Sequence, residues 1–342
     1  MSRALEDQAI RVARAHLAPL LPLMSDPGVQ EIMVNRADDI WVERQGVVTR
    51  TDIVLTETVV KAAIKALAAS CHKDEALILD LRMPGLRIAA ALPPVAVHGA
   101  CMSIRKHAKR QLTLSDYLAQ GAFTSEWPAA GYVPANRPDD AETAQGGEAL
   151  MQFLSWAVES RQNLLIAGGT SSGKTMFLNA LVAAMPNGDR ILTIEDTAEL
   201  MVQAPNHVGF ESNSDKNVST RDLIRLALRF RPDRILVGEV RGYEAFDLLD
   251  ALNTGHSGGA CSLHANSALM ALARLENMVR MAPEAAGWPL PALRAQIAAV
   301  FRFVVQAARV GGMRGPDEII EVLGVEDGAY VTRSIFKKRI PS

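Results

Sequence analysis

The segment Gly168-Gly169-Thr170-Ser171-Ser172-Gly173-Lys174-Thr175 fits the pattern G-x-x-x-x-G-K-[ST]. Glycines at these positions let successive backbone N–H groups converge on phosphate oxygens, and a helix starting at the lysine adds its partial positive charge. Lys174 would then reach the β- and γ-phosphates of a nucleotide, and the Thr175 hydroxyl would ligate Mg²⁺. Three carboxylates, Glu195, Asp196 and Glu199, follow the apolar run Ile191–Ile194, and Glu239 follows Arg234–Gly238. Acids beside a phosphate loop are candidates for holding Mg²⁺-bound water and for general-base work. A third polar segment, Thr254 to Ser267, contains His256, Cys261 and His264. With no acid and no second thiol in that segment, a closed four-ligand zinc site is not expected, and a histidine there could sense or stabilise γ-phosphate charge.

The elements that must carry these residues can be read from the pattern. Asn163–Ala167 is a continuous apolar run before the loop, and Lys174–Ala184 has helical character after it. Arg190–Ile194 and Arg234–Gly238 read as further buried strands, and Leu150–Glu159 and Arg221–Phe230 as helices. Such alternation predicts a parallel sheet with helices on both faces, and ligands in such sheets sit at the carboxyl ends of the strands. Both acidic segments directly follow predicted strands. The run ending in Glu239 resembles a Walker B element, except that Gly238 stands where an aspartate would assist Mg²⁺. Glu239 would then act on the metal through water or polarise the attacking water; pairing with Arg241 is the alternative. Farther on, Glu318–Leu323 and Ala329–Thr332 flank Asp327-Gly328, a hairpin signal.

The N-terminal portion reads differently. Residues 4–24 carry apolar positions compatible with one amphipathic helix, followed by a turn at Ser25–Gly28. Strand-like runs at Glu31–Val34, Asp39–Glu43, Leu86–Leu92 and Ala100–Arg105 surround a helix over Thr56–Ser70, which predicts a small α+β domain. Pro128–Gly147 holds three prolines among small residues and reads as a linker or loop. The expected organisation is therefore 1–127 as an N-terminal α+β domain, 128–147 as linker, and 148–342 as the α/β domain. Arg221, Arg225 and Arg229 share one predicted helix face, which reads as solvated or as a subunit contact.

Composition narrows the function. The chain has 342 residues, and 36 Lys plus Arg against 38 Asp plus Glu give a net charge of −2, so no global attraction to nucleic acid or anionic lipid is expected. Aromatics are 5%, too few for repeated base-stacking platforms, and direct nucleic-acid binding is not expected. Cys71, Cys101 and Cys261 form no C-x-x-C pair and read as free thiols in a reducing compartment. The first residues lack a signal-peptide core, and no run is long and apolar enough to span a bilayer.

Four segments, G-G-T-S-S-G-K-T, I-E-D-T-A-E-L, R-P-D-R-I-L-V-G-E-V-R and T-G-H-S-G-G-A-C-S-L-H-A-N-S, stand in the order of the Walker A, Asp box, Walker B and His box of secretion ATPases. The chain thereby resembles the type II/IV secretion superfamily of traffic ATPases, and most of all its conjugal-transfer, TrbB-like branch. D-P-G-V-Q-E-I-M-V-N and G-L-R-I-A-A-A-L-P-P-V near the start add to the likeness. I-E-D-T matches the conjugation and type IV members rather than the I-E-D-P of pilus-assembly members, whose four-cysteine zinc site this chain cannot build. The stretch 128–147 looks like an insertion. The resemblance implies a RecA-like P-loop NTPase domain after a smaller α+β domain, assembled as a homohexamer. ATP and Mg²⁺ would bind between the domains, and hydrolysis would power pilus biogenesis or substrate transfer. It also implies roles for Glu199 (Asp box), Glu239 (Walker B), His256 and His264 (His box), with Glu195 in the same acidic cluster. Arg87 and Arg105 look like N-terminal-domain arginines that approach the phosphates; internal salt bridges are the alternative for each. The expected setting is cytoplasmic and peripheral at the inner membrane, with inner-membrane subunits as partners. A motor acting directly on DNA and a nucleotide-dependent assembly switch are the rival readings.

Overall fold

The computed structural model describes residues 11–44, 47–70, 77–83, 85–106, 111–123, 146–310 and 313–338. They form two compact units, Met1–Arg110 and Gln111–Ser342. The division falls upstream of the change in composition at Pro128, because Leu114, Tyr117 and Phe123 pack into the core of the second unit. Most of the 128–147 segment lies outside the described residues.

The first unit is built on β1 (Val29–Arg36), β2 (Asp39–Arg44), β3 (Val47–Arg50), β4 (Ile78–Met83), β5 (Leu86–Ala91) and β6 (Cys101–Lys106). They make one sheet in the order β3-β2-β1-β6-β5-β4, antiparallel at every pair. Period-two alternation buries Ile32, Val34, Ile40, Val42, Ile88 and Ile104 on one face. Val29 joins them only because the pairing shifts by one residue between Val29 and Glu31. Against this face packs α1 (Glu57–Ser70), through Val60, Ala63, Ile64, Leu67 and Ala68. The Thr56 hydroxyl accepts the Val59 N–H at 3.3 Å and caps its start. The predicted helix over 4–24 is not continuous. Residues 11–16 are helical, then separate turns form at Ala18–Leu20 and Leu21–Ser25, each with a proline at its start. Pro19 and Pro22 cannot donate to a preceding turn, so each begins a new segment. Residues 4–10 lie outside the described residues.

The second unit contains β7 (Leu164–Gly168), β8 (Ile191–Glu195), β9 (His207–Glu211), β10 (Arg234–Val237), β11 (Ala260–Leu263), β12 (Phe303–Val310), β13 (Met313–Glu326) and β14 (Ala329–Lys337). Their order is β14-β13-β12-β7-β11-β10-β8-β9. From β12 to β9 all neighbours are parallel, and β13 and β14 extend the sheet antiparallel. Consecutive residues of β7 serve opposite cores. Leu165 and Ala167 face one layer, with α5 (Thr220–Ala227), α6 (Glu244–Asn253), α7 (Ala268–Arg280) and α8 (Leu290–Val300). Leu164 and Ile166 face the other, with α2 (Leu114–Ala119), α3 (Gly146–Glu159) and α4 (Lys174–Ala183). This doubly covered parallel sheet is a RecA-like α/β domain. The hairpin forms as the sequence predicts: Glu326 pairs with Ala329, and Asp327 and Gly328 both take positive φ, 48° and 77°.

Candidate active site

β7 ends where the phosphate-loop pattern begins, and the loop's geometry explains its residue types. A Cβ on Gly168 would collide with Ser172 Oγ and lie 2.6 Å from the Ala307 carbonyl of neighbouring β12. Gly173 enters α4 at φ 92°, a left-handed conformation that favours glycine. The Lys174 side chain is buried, and its Nζ donates to the Gly168 carbonyl at 2.9 Å and the Gly169 carbonyl at 3.0 Å. Ser172 Oγ is buried and has no hydrogen-bond partner among the described residues. A buried hydroxyl without a partner, a lysine folded on its own loop and a helix N-terminus together suit phosphate oxygens.

At the same carboxyl edge the other predicted residues divide into those brought together and those kept apart. His264, just after β11, lies between two of them. Its Nδ1 is 3.4 Å from Lys174 Nζ, and its Nε2 is 3.3 Å from Glu239 Oε1. Lysine only donates and a carboxylate only accepts, so a neutral His264 carries its proton on Nε2. Burial and the Lys174 charge hold the His264 pKa below its ordinary value, despite the opposing pull of Glu239. Glu239 Oε1 also accepts from Arg241 Nε at 2.9 Å, and Arg241 Nη1 reaches Asp196 Oδ2 at 3.1 Å. Burial acts to raise the Glu239 pKa, but the Arg241 hydrogen bond and the Arg241, His264 and Lys174 charges outweigh it and hold the carboxyl below the usual range. The turn bearing Glu239 is fixed from both sides. Glu244 accepts the N–H groups of Arg241 and Gly242, and Ser262 Oγ donates to the Gly238 carbonyl.

Glu195 is turned elsewhere. Only 5% exposed, its Oε1 accepts the N–H groups of Glu199 and Leu200, each at 3.0 Å. Its stem lies over Gly238, where a Cβ would be 2.9 Å from Glu195 Cγ. The missing Walker B aspartate is thus explained sterically: a carboxylate from the adjacent strand fills the space. Burial pushes Glu195 up to about 7, with the Glu199 and Glu211 charges adding to the rise and the two backbone hydrogen bonds opposing it. Glu199 is gripped through its main chain, its carbonyl accepting from Asn179 Nδ2 at 3.1 Å.

His256 is not brought to this edge. It precedes β11 while His264 follows it, so the length of the strand separates them, and His256 Nδ1 lies 3.2 Å from the Ala251 carbonyl at the end of α6. Cys261 lies between them inside the core, its thiol pushed up by burial. Arg87 and Arg105 belong to the first unit, on the sheet face opposite α1, directly opposite each other on β5 and β6. Arg87 pairs with Asp80 through Nη2 at 2.8 Å, and Arg105 is exposed.

The stripe Arg221-Arg225-Arg229 is not simply solvated. Arg221 Nε and Arg225 Nε each lie 2.6 Å from the Asp247 carboxylate on α6, and both arginines also reach Glu284. Residue patterning missed Asn179. Asn179 stands alone in an apolar helical run, and its position opposite the acidic loop has no signal in the sequence.

Fold and site together define a RecA-like P-loop ATPase, with phosphate loop, histidine and carboxylates gathered at one edge of a parallel sheet. The family model described as "Type II/IV secretion system protein" matches residues 141–310. Over 319 residues the chain is 36% identical to the type IV secretion system protein PtlH of Bordetella pertussis, covering 90% of this chain and 93% of that one. It is 33% identical over 318 residues to the conjugal transfer protein TrbB of Rhizobium radiobacter, covering 90% and 88%. Among solved structures it is similar in fold to the ATPase DotB of Yersinia pseudotuberculosis, with a TM-score of 0.59 at 17% identity over 93% of this chain and 77% of that one. The chain belongs to the family of type II/IV secretion ATPases. Among the described residues, no helix is long and apolar enough to cross a membrane.

Proposed function

We propose that the second unit binds ATP with Mg²⁺ on Gly168–Thr175 and hydrolyses it to ADP and phosphate. Six copies would form a ring powering a conjugation or type IV secretion apparatus, through pilus biogenesis or substrate transfer. The observation that carries the catalytic part is the contact chain Lys174–His264–Glu239–Arg241 above the phosphate loop. The relatives' names support the setting. Partners would be inner-membrane subunits of that machine, met from the cytoplasmic side.

In this reading Lys174 exchanges the Gly168 and Gly169 carbonyls for β- and γ-phosphate oxygens, and Ser172 Oγ with the first N–H groups of α4 donates to the same phosphates. No three His, Cys, Asp or Glu side chains among the described residues converge as a metal group. The donor set fits a Mg²⁺ held by phosphate oxygens and water, with the Thr175 hydroxyl as direct ligand and Glu239 acting through water. Bound there, Mg²⁺ would neutralise charge on the β- and γ-phosphate oxygens.

Glu239, held below the usual carboxylate range, is a persistent anion and a weak base, which favours the metal-water role. Glu195 is bound to its own loop and Asp196 to Arg241 and Ser212, so Glu199 is the carboxylate assigned to orient the attacking water. Neutral His264 would donate from Nε2 as charge builds on the phosphoryl group. Arg87 and Arg105 would supply further positive charge. Steady-state ATP hydrolysis by Lys174→Ala tests the assignment. Turnover should be abolished and nucleotide affinity weakened, and wild-type turnover would refute it.

A further inference from the structure

The loop that carries Glu199 is held at both ends of that residue by buried side chains from two different elements. Its N–H donates to Glu195 Oε1 at the end of β8, and its carbonyl accepts from Asn179 Nδ2 on α4. Two residues on, the Met201 N–H donates to Asn179 Oδ1 at 2.7 Å. The Asn179 amide therefore spends both its donor and its acceptor on this loop.

The placement is costly unless it serves something. Asn179 is 5% exposed and lies among Leu178, Ala180, Leu181 and Val182, all buried. An apolar residue would suit that stretch of α4 better, and a buried amide is tolerated only when its hydrogen bonds are made. α4 begins at Lys174, and Asn179 stands about 7 Å further along the helix axis, at about 1.5 Å per residue. The acidic loop is thus referenced to the same rigid helix that presents the phosphate-binding lysine. Gln111 ties the joint again, its Nε2 donating to the Asn179 carbonyl at 2.8 Å and to the Met201 carbonyl at 2.6 Å.

We infer that Asn179, with Glu195 as its counterpart, is a positioning residue: it fixes the Glu199 backbone against the phosphate-loop helix, so that the Glu199 carboxylate keeps its place relative to bound ATP. The inference rests on the reading of Glu199 as the acid that orients water. Misplacing a reacting group by about 1 Å can cost on the order of 100-fold in rate. Loss of the Asn179 bonds should therefore appear in kcat and leave nucleotide affinity nearly unchanged.

The test is a double-mutant cycle on the full chain, read as steady-state kcat and KM for Mg-ATP. Glu199→Gln, Asn179→Leu and the double variant are compared, with Asn179→Ala as the milder change if the leucine variant does not fold. Asn179→Leu or Asn179→Ala should lower kcat about 10- to 100-fold with KM within about threefold. In the Glu199→Gln background the same change should lower kcat no further. Undiminished kcat in a folded Asn179 variant overturns the inference while leaving Glu199 catalytic. An equal loss with and without Glu199 also overturns it, because Asn179 would then act through another group. If Glu199→Gln itself turns over at the wild-type rate, the reading of Glu199 fails, and the inference falls with it.

Discussion

Replacing Gly238 with alanine tests whether Glu195 truly occupies the space of the absent Walker B aspartate. The new Cβ would stand 2.9 Å from Glu195 Cγ, 3.2 Å from Oε1 and 3.5 Å from Cβ. Ordinary contact begins near 3.4 Å, so the Glu195 side chain must retreat by about half an ångström. It cannot swing to solvent without releasing the Glu199 and Leu200 N–H groups. Gly238 has no left-handed φ to defend, so the penalty is steric. Overpacking of this kind costs about 1–3 kcal/mol. Stiffening the unfolded chain returns about 0.4–1 kcal/mol, leaving a net loss centred on about 1.3 kcal/mol. Urea denaturation of Gly238→Ala should therefore show a lower midpoint with an unchanged slope. Gly287→Ala, where a Cβ meets nothing within 4 Å, has no such steric cost and should be as stable as wild type or up to about 1 kcal/mol more so. In a Glu195→Ala background the crowding atoms are gone, and Gly238→Ala should then cost almost nothing. A neutral Gly238→Ala, or an equal cost in both backgrounds, would refute the packing argument.

Two further outcomes are expected. His264→Ala removes the ring between Lys174 and Glu239 and should slow ATP turnover about tenfold or more without lowering the melting temperature appreciably; an unchanged rate would remove His264 from the mechanism. Arg105→Ala changes an exposed side chain and should shift stability by less than about 0.5 kcal/mol while cutting turnover strongly. A loss of stability with full activity per folded molecule would make Arg105 structural.

What could be read from the sequence was local. The phosphate loop announces itself because its main constraints, the positive φ of Gly173 and the approach of Gly168 to Ser172 included, act within a few residues. The Asp327-Gly328 turn is legible for the same reason, since type I′ geometry demands residues that accept positive φ. What escaped depends on partners far along the chain. Arg221 and Arg225 look like a solvated stripe until Asp247 and Glu284 are folded against them. His256 and His264 look equivalent until β11 sets one at each end. β12 was not anticipated, although it pairs directly with β7; its run F-V-V-Q-A-A-R-V is interrupted by Gln306, whose amide donates to the Ala265 carbonyl beside His264. Among the acids, spacing alone could not show that Glu195 serves its own loop while Glu239 faces Lys174 through His264.

The central claim is that the Glu239 carboxylate works on bound nucleotide at the edge of the RecA-like sheet. Glu239→Gln keeps the volume and removes the charge, so ATP retention and hydrolysis can be measured on one preparation of the full chain with Mg²⁺. ATP should stay bound while the hydrolysis rate constant falls at least ~100-fold. Hydrolysis at the wild-type rate by a folded Glu239→Gln protein would contradict the claim.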